Sequence, residues 1–206
     1  MSKAYFDPTL IDELYIYNNI MSEKILTYEE DFERLGKMDL KKLLELFMIQ
    51  IKNIWRVDGL YFQGIEKRFG VDSAEEIDRE TWSILAKIEA RDLKKLYSIE
   101  EIRNIREFME LLLNTSWAIY QSKKSYYIDE ENGIGVFKVI SCRVQEARIK
   151  KGLGVFPCKN VRYIYLRSFA EAVDPNIEVE VVTCPPDEKP PDYWCAWRFK
   201  LKKVYR

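Results

Sequence analysis

The chain has 206 residues, of which 47% are hydrophobic and 33% are charged, and this composition is typical of one large globular domain or two small ones. The 33 basic and 34 acidic residues give a net charge of −1, which argues against a dedicated nucleic-acid-binding protein and against attraction to an anionic membrane. Histidine is absent, which excludes Ser-His-Asp catalysis, Cys-His catalysis and histidine-ligated metal sites.

The N-terminal segment predicts a cytoplasmic protein. Residues 1–19 are acidic and aromatic, and they lack the basic, apolar and small-residue regions of a signal peptide. No segment approaches the roughly 18 consecutive apolar residues that a membrane-spanning helix needs. We therefore expect the cysteines to be reduced.

The first half of the chain is predicted to be helical. Pro8 predicts the start of a short helix over residues 8–20, and the charged residues 23–35 predict further helical turns. Apolar residues recur every three or four positions over residues 39–69, which predicts a long helix. Its apolar surface over residues 40–55 is wider than one stripe, which predicts burial on two sides, between other helices or in a homodimer.

Capping signals predict two further helices. A capping box that begins at Ser73 predicts a helix running to about Leu96. The same pattern beginning at Ser98 predicts a helix running to about Asn114.

The second half is predicted to contain a sheet. A Glu-Asn-Gly turn signal at residues 131–133 predicts a hairpin of residues 117–128 with residues 134–142. Residues 142–151 fit either a short helix or a continued strand.

The chain is predicted to close with one helix and two strands. The helix begins at Pro157 and Cys158 and is stopped by Asp174 and Pro175. Alternation predicts strands over residues 177–183 and 193–204, joined by a proline-rich loop.

Together these elements predict an α+β fold. A helical N-terminal half packs with a C-terminal antiparallel sheet of about four strands, which carries one or two helices on one face. The predicted division is a helical region over residues 1–115 and a cysteine-containing α+β domain over residues 116–206, with one continuous core as the alternative.

The cysteines are the first candidates for a functional site. All four lie in the last 65 residues, and no Cys-x-x-Cys pair is present: Cys142, Cys158, Cys184 and Cys195. They fall at the predicted ends of helices and strands, which often gather at one rim of a small domain. Three interpretations stay open: a zinc or iron–sulfur site built from these four ligands, a catalytic thiolate, and ordinary packing in the core.

Cys158 is the strongest candidate for a reactive thiol, followed by Cys142. A helix N-terminus favours the thiolate form of a cysteine, and Cys158 is predicted to begin a helix.

Other candidate residues lie near the cysteines in sequence. Arg143 and Arg148 suit binding of a carboxylate ligand, because a guanidinium group is forked, although solvated positions explain them equally. Tyr163 and Trp194 suit an apolar pocket wall, with core packing as the alternative.

Four carboxylates on the predicted long helices form a further group: Asp58, Glu66, Asp78 and Glu89. They suit an inward-facing metal or amine site. Caps or surface ion pairs, such as Glu66 with Arg68 and Glu89 with Arg91, are the favoured interpretation, because charged residues are seldom buried.

Several segments resemble known families. The first resemblance is carried by seven stretches: WRVDGLYFQGIEKRFG from Trp55, IDRETW, KIEAR, SCRVQEAR, FPCK, CPPD and WCAWRF. They resemble an uncharacterised family of prokaryotic cytosolic proteins over residues 45–200. More remotely, the end of the chain is similar to L-2-amino-thiazoline-4-carboxylic acid hydrolase-like proteins and 4-vinyl reductase-like small-ligand-binding domains. These resemblances imply a helical layer on an antiparallel sheet, with Cys142, Cys158, Cys184, Asp187 and Cys195 near a pocket.

Three functional hypotheses follow from these observations. The first is a small-molecule or metal site built around the C-terminal cysteines. The second is a cysteine- or carboxylate-dependent hydrolase of a small polar substrate, with Cys158, Cys142 and Asp187 as candidate catalytic residues. The third is a structural or interaction protein whose cysteines only pack.

Overall fold

The computed structural model describes residues 27–202. The chain divides into two compact units, residues 1–47 and residues 48–206, and the boundary falls within a helix. The predicted helix over residues 8–20 lies outside the described residues. Among residues 27–202, no helix is both long enough and apolar enough to cross a bilayer.

In the first unit, α1 spans Tyr28–Gly36. Thr27 caps it, because its hydroxyl accepts a hydrogen bond from Glu30 N while the Glu30 side chain accepts one from Thr27 N. α2 spans Leu40–Phe69, and its first turn is capped by Asp39 Oδ1, which accepts from Lys41 N at 3.1 Å.

The second unit contains the other elements. α3 spans Val71–Leu96, α4 Ile105–Leu113, α5 Ser116–Tyr120, α6 Arg143–Lys150 and α7 Lys159–Val173. β1 spans Lys123–Asp129, β2 Ile134–Ser141, β3 Ile177–Thr183 and β4 Cys195–Leu201. The sheet is antiparallel with strand order β1-β2-β4-β3, which confirms the predicted α+β fold.

One core joins the helices to the sheet within this unit. α3 packs along α7, and aromatic contacts connect the helical layer to the strands. The Phe108 and Phe199 rings lie 5.1 Å apart, and the Trp117 and Phe137 rings lie 4.9 Å apart. This core draws on residues from both sides of the predicted division at residue 115.

Three predicted boundaries were wrong. α3 begins at Val71 with Gly70 as its N-cap, so the Ser73 capping box is not formed; the Ser73 hydroxyl instead donates to Phe69 O at 3.1 Å. α4 begins seven residues after Ser98, which takes a left-handed φ of 53°, and Asn104 caps α4 by accepting from Glu107 N.

The third wrong boundary concerns residues 117–122, which were predicted as strand. The first part of this segment belongs to α5, because the Thr115 hydroxyl caps a helical turn and Trp117 and Ala118 are buried there. Tertiary burial thus overrides the β-propensity of Trp and Ile. The ambiguous segment 142–151 forms the helix α6.

The long helix α2 is buried on one stripe of its second-unit portion. Ile51, Trp55 and Phe62 are buried, whereas Ile54 and Leu60 are exposed. Burial on two sides therefore does not occur within one chain for these residues, and the homodimer stays a prediction.

Candidate functional site

Arg162 is a buried cation among aromatic rings. It lies on α7, one turn after Cys158, and is 8% exposed. Its guanidinium carbon is 5.4 Å from the centroid of Trp55, 5.1 Å from Trp82 and 5.2 Å from Trp117. Tyr165 lies closest, at 4.9 Å. Its Nη1 atom is buried without a hydrogen-bond partner, so the cation is held by rings and leaves a donor available.

The carboxyl groups of Asp58 and Asp78 face each other beside this cation. Asp58 on α2 accepts a hydrogen bond from the Trp82 indole N–H at 3.0 Å, and it is hydrogen bonded to Asp78 on α3. Burial, reinforced by the nearby Asp58 charge, raises the pKa of Asp78 to about 8. Burial raises the pKa of Asp58 as well, whereas the positive charge of Arg162 acts to lower the pKa of both carboxyl groups. The two carboxyl groups therefore titrate together beside a cation.

Two neighbouring cavities adjoin this cluster. The outer cavity has a volume of about 290 Å³, and its walls come from α2, α6, Tyr120 and Phe156. The inner cavity is small, about 40 Å³, and is lined by Arg162, Gln121 and three of the cysteines among others. The two cavities share five lining residues: Trp55, Asp58, Asp78, Val144 and Phe156.

The outer cavity is more basic than acidic. Four basic side chains line it, namely Arg56, Arg143, Arg148 and Lys151, against the Asp58–Asp78 pair. Aromatic side chains supply the apolar part of the wall, namely Trp55, Phe62, Tyr120 and Phe156. A cavity with this lining attracts an anion that carries an apolar or aromatic group.

Arg148 and Arg143 both line the outer cavity, but they differ in their partners. Arg148 forms a bidentate ion pair with Glu66, with N···O distances of 2.9 and 2.8 Å, so the forked edge predicted to bind a ligand is occupied within the protein. A hydrogen bond from Arg148 lowers the pKa of Glu66. Arg143 donates its Nε–H to Tyr120 O at 3.0 Å and lies over the Tyr120 ring.

The four predicted carboxylates are not surface partners as favoured from the sequence. Glu66 pairs with Arg148 rather than Arg68, and Asp58 pairs with Asp78. Glu89 accepts from Ser116 N at 2.5 Å and from the Tyr165 hydroxyl at 2.7 Å, rather than from Arg91. These contacts tie α3 to α5 and α7, so Glu89 has a structural role.

The cysteines come together in part. Cys142 is the N-cap residue of α6 and Cys158 that of α7, while Cys184 follows β3 and Cys195 begins β4. Cys158 Sγ lies 3.7 Å from Cys184 Sγ. Cys184 is also hydrogen bonded to Cys195, so it stands between two other thiols.

Two of the thiols differ strongly in their tendency to ionise. Burial raises the pKa of Cys142 to about 12, which disfavours its thiolate. A hydrogen bond from the Cys184 thiol lowers the pKa of Cys158, and Arg162 and Gln145 act in the same direction against the effect of burial. Gln145 Nε2 lies 3.4 Å from Cys158 Sγ.

Asp187, Tyr163 and Trp194 take no direct part in the cavities. Asp187 pairs with Lys159 at 2.6 Å and accepts from Cys184 N at 3.2 Å, so it fixes the proline-rich loop. Tyr163 and Trp194 are half-buried against the core and line neither cavity. Lys189 Nζ lies over the Trp194 ring at 5.1 Å.

A metal site built from the cysteines receives no support. Within residues 27–202, no group of three or more His, Cys, Asp or Glu side chains has an arrangement that suits a metal ion. The zinc or iron–sulfur interpretation stays a prediction from the sequence.

The sequence does identify the chain at the level of a family. A family of unknown function (DUF6125) matches residues 36–201, and the chain belongs to this family. No curated protein matches the chain. The resemblance to an uncharacterised family is thus confirmed, while the remote resemblances to the hydrolase-like and reductase-like proteins receive no support.

The sequence did not single out Arg162 or Gln121 as site residues. The sequence does carry a signal for the neighbouring Asp58–Asp78 pair. Asp58 follows Trp55 by three positions and Asp78 precedes Trp82 by four, so each carboxylate lies one helical turn from a tryptophan. A carboxylate beside the apolar stripe on two neighbouring helices indicates a polar group directed into the core.

Proposed function

We propose that this protein binds a small organic anion in the two neighbouring cavities, with Arg162 as the anion-binding residue. The observation that carries the proposal is the buried Nη1 of Arg162, which has no hydrogen-bond partner although the side chain lines the inner cavity. A buried donor without a partner costs about 1–3 kcal/mol, so a carboxylate that reaches it gains that free energy on binding.

Gln121 supports a ligand with a second polar group. It lines the same inner cavity, and its Oε1 is buried without a partner, while its Nε2 donates to Trp117 O at 3.3 Å. The inner cavity therefore offers one free donor and one free acceptor. A carboxylate head with an adjacent N–H or O–H group matches both.

The outer cavity suits the remainder of the ligand. Its aromatic walls accept an apolar or aromatic group, and its basic side chains favour entry of an anion. Phenylacetate probes the Arg162 donor and the aromatic wall alone, because it combines a carboxylate with a ring and carries no N–H or O–H group that could reach Gln121. Phenylacetamide is its uncharged counterpart.

Titration calorimetry on the full chain tests the proposal. We expect phenylacetate to bind and phenylacetamide to bind at least about tenfold more weakly, which is the effect of losing one charge-assisted hydrogen bond. Arg162→Lys keeps the charge but loses the fork, so we expect it to weaken phenylacetate binding by a similar factor.

Arg167→Gln is the matched control on the same helix. Arg167 is exposed and pairs with Glu171 at 2.7 Å, so this variant should bind phenylacetate like the wild type. Equal affinity of the wild type and Arg162→Lys for a panel of aromatic carboxylates would overturn the proposal. Circular dichroism of each variant checks that it is folded.

A second candidate function, a carboxylate-dependent hydrolase, is favoured by the Asp58–Asp78 pair. A protonated Asp78 is able to donate a proton to a leaving group, while the Asp58 carboxylate accepts one from water. The pair lines both cavities, so a ligand that spans both would contact it.

Hydrolysis of hippurate, an aromatic carboxylate whose amine leaving group must be protonated as the amide bond breaks, tests this second function. Asp78→Asn should lower the enzyme-dependent rate by about a hundredfold, the usual effect of losing a general acid. Asp72→Asn, an exposed position on α3, should leave it unchanged. A rate that is the same in Asp78→Asn and the wild type would exclude the pair from catalysis of this reaction.

A further inference from the structure

Three thiols meet behind the inner cavity, and Cys184 is at their centre. The Sγ atoms of Cys158 and Cys184 are 3.7 Å apart, and Cys184 is hydrogen bonded to Cys195 on its other side. A disulfide bond is about 2.05 Å long, so Cys158 and Cys184 need to approach by roughly 1.7 Å to form one.

The two segments that carry this pair are tied together. Lys159 N donates to Pro185 O at 3.0 Å, and Lys159 Nζ lies 2.6 Å from Asp187 Oδ1. Asp187 N in turn donates to Cys184 O at 2.9 Å. The residues that follow Cys158 and Cys184 in the chain thus bond to each other, which holds the two sulfur atoms in contact.

The two thiols differ in access and in charge preference. Cys158 is half-buried, lines the inner cavity and stands at the N-terminus of α7, a helix of 15 residues. Gln145 Nε2 donates toward its sulfur at 3.4 Å. The hydrogen bond from the Cys184 thiol, followed by Arg162 and Gln145, lowers the pKa of Cys158, whereas hydrogen bonds with Cys158 and Cys195 and burial raise the pKa of Cys184. Cys158 is therefore the more acidic thiol of the pair and Cys184 the less acidic one.

We propose that Cys158 and Cys184 form a redox-active dithiol that a hydroperoxide converts to an intramolecular disulfide. This inference is independent of the proposed anion site, because it requires no bound ligand.

The reaction proceeds in two balanced steps. The Cys158 thiolate attacks one peroxide oxygen, an S–O bond forms and the O–O bond breaks, and the departing alkoxide or hydroxide takes a proton from solvent. Cys184 sulfur then attacks the sulfenic sulfur of Cys158, an S–S bond forms and the S–O bond breaks, and the hydroxide leaves as water with the Cys184 proton. The two sulfur atoms lose two electrons, which reduce the peroxide.

Thiol counting with hydrogen peroxide tests the proposal. The reduced full-length chain has four titratable thiols, and we expect peroxide to lower this number to two. Peptide mapping under non-reducing conditions should then identify a Cys158–Cys184 linkage. A loss of thiols with no linkage within the chain, or with a linkage between chains, would overturn the proposal; this measurement needs no variant.

Variants separate the role of Cys158, which attacks the peroxide, from the role of Cys184, which attacks the sulfenic acid. Cys158→Ser should slow thiol loss by roughly tenfold or more, because it removes the more acidic thiol of the pair. Cys184→Ser should let dimedone trap a sulfenic acid at Cys158, because the second step is blocked. Arg167→Gln, on the exposed side of α7, is the control and should oxidise like the wild type. Oxidation of Cys158→Ser at the wild-type rate would exclude Cys158 as the attacking thiol.

Discussion

At the scale of single residues, the unusual feature is a charged guanidinium in the interior. Taking a cation out of water is costly, and the aromatic rings around Arg162 return only part of that cost. The neighbouring Asp58–Asp78 pair adds a favourable interaction, because the Arg162 charge acts to lower the pKa of both carboxyl groups against the effect of burial. The proton on this pair therefore sets the charge balance of the whole interior cluster.

The pH dependence of stability should reveal that proton. Asp78 has a raised pKa in the folded state, about 8 against 3.8, so the folded state holds the proton more tightly. The stabilisation that this proton contributes is complete below the pKa of Asp78 in the unfolded chain. It is lost as the pH rises through the pKa of Asp78 in the folded protein. Relative to Asp78→Asn, the wild type should lose up to about 1.4 kcal/mol of unfolding free energy per pH unit in this window.

Urea unfolding followed by circular dichroism, at several pH values between 4 and 8, measures this difference. Asp72→Asn, on the exposed side of α3, is the control and should follow the wild type at every pH. Parallel stability curves for the wild type and Asp78→Asn would show that Asp78 holds no additional proton in the folded state.

Some residues of the site could be predicted from the sequence and others could not. The placement of Cys158 at a helix start follows from a local signal, since Pro157 precedes it, whereas the sequence left Cys142 open between a helix start and a continued strand. The contact between Cys158 and Cys184 depends on a chain reversal 26 residues long, which no local pattern encodes. The same holds for Arg162, whose partners come from three different helices.

At the scale of elements, strand β2 and helix α4 approach each other at Gly135. A Cβ atom at this position would stand 2.6 Å from Met109 Cγ, and Met109 is fully buried. Gly135→Ala therefore forces Met109 into an already packed core. We expect a loss of about 1–3 kcal/mol in unfolding free energy, measured by urea denaturation.

Gly64→Ala provides the comparison within a helix. Only Arg68 Nη1 approaches a Cβ there, at 3.5 Å, and alanine is the better helix former. This variant should be as stable as the wild type or more stable by up to about 1 kcal/mol. If Gly135→Ala were equally well tolerated, the close approach of β2 to α4 would be excluded.

The ion pair between α2 and α6 should contribute strongly to stability. The side chains of Arg148 and Glu66 are only 9% and 23% exposed, so Glu66→Gln leaves a buried guanidinium without its counter-charge. We expect a loss of about 3 kcal/mol in unfolding free energy.

A surface ion pair offers the matched control. Arg198 and Glu180 are about half exposed, and Glu180→Gln should cost less than about 1 kcal/mol. An equal effect of the two variants would indicate that the α2–α6 pair is screened by solvent. The comparison uses the same substitution, so differences in helix or strand propensity do not dominate it.

At the scale of the whole molecule, the buried apolar core found among residues 27–202 lies in the second unit. The described residues of its core begin at Ile51 and extend to Phe199. Thr27→Ala, which removes the N-cap of α1 in the first unit, should therefore change the urea unfolding free energy by less than about 1 kcal/mol and leave a single cooperative transition. Loss of that transition would show that the first unit is needed for folding.

The general architecture was accessible from the sequence, whereas some connections were not. Periodicity and turn chemistry predicted α2, the β1–β2 hairpin, α7 and β3, because these depend on local patterns. α5 was predicted as strand, since the burial of Trp117 and Ala118 depends on distant partners. The strand order places β4 between β2 and β3, and this arrangement too is a property of the packed core.

The tryptophans described above give the protein an intrinsic optical probe. Trp55, Trp82 and Trp117 surround Arg162, so their fluorescence emission should change when an anion approaches that cation. The Trp197 indole N–H lies 3.3 Å from Cys195 Sγ, so its emission should respond to the chemical state of the neighbouring thiols. One variant would retain only Trp55, Trp82 and Trp117, and another only Trp197. Their fluorescence would report ligand binding and thiol oxidation separately, in real time and without an added label.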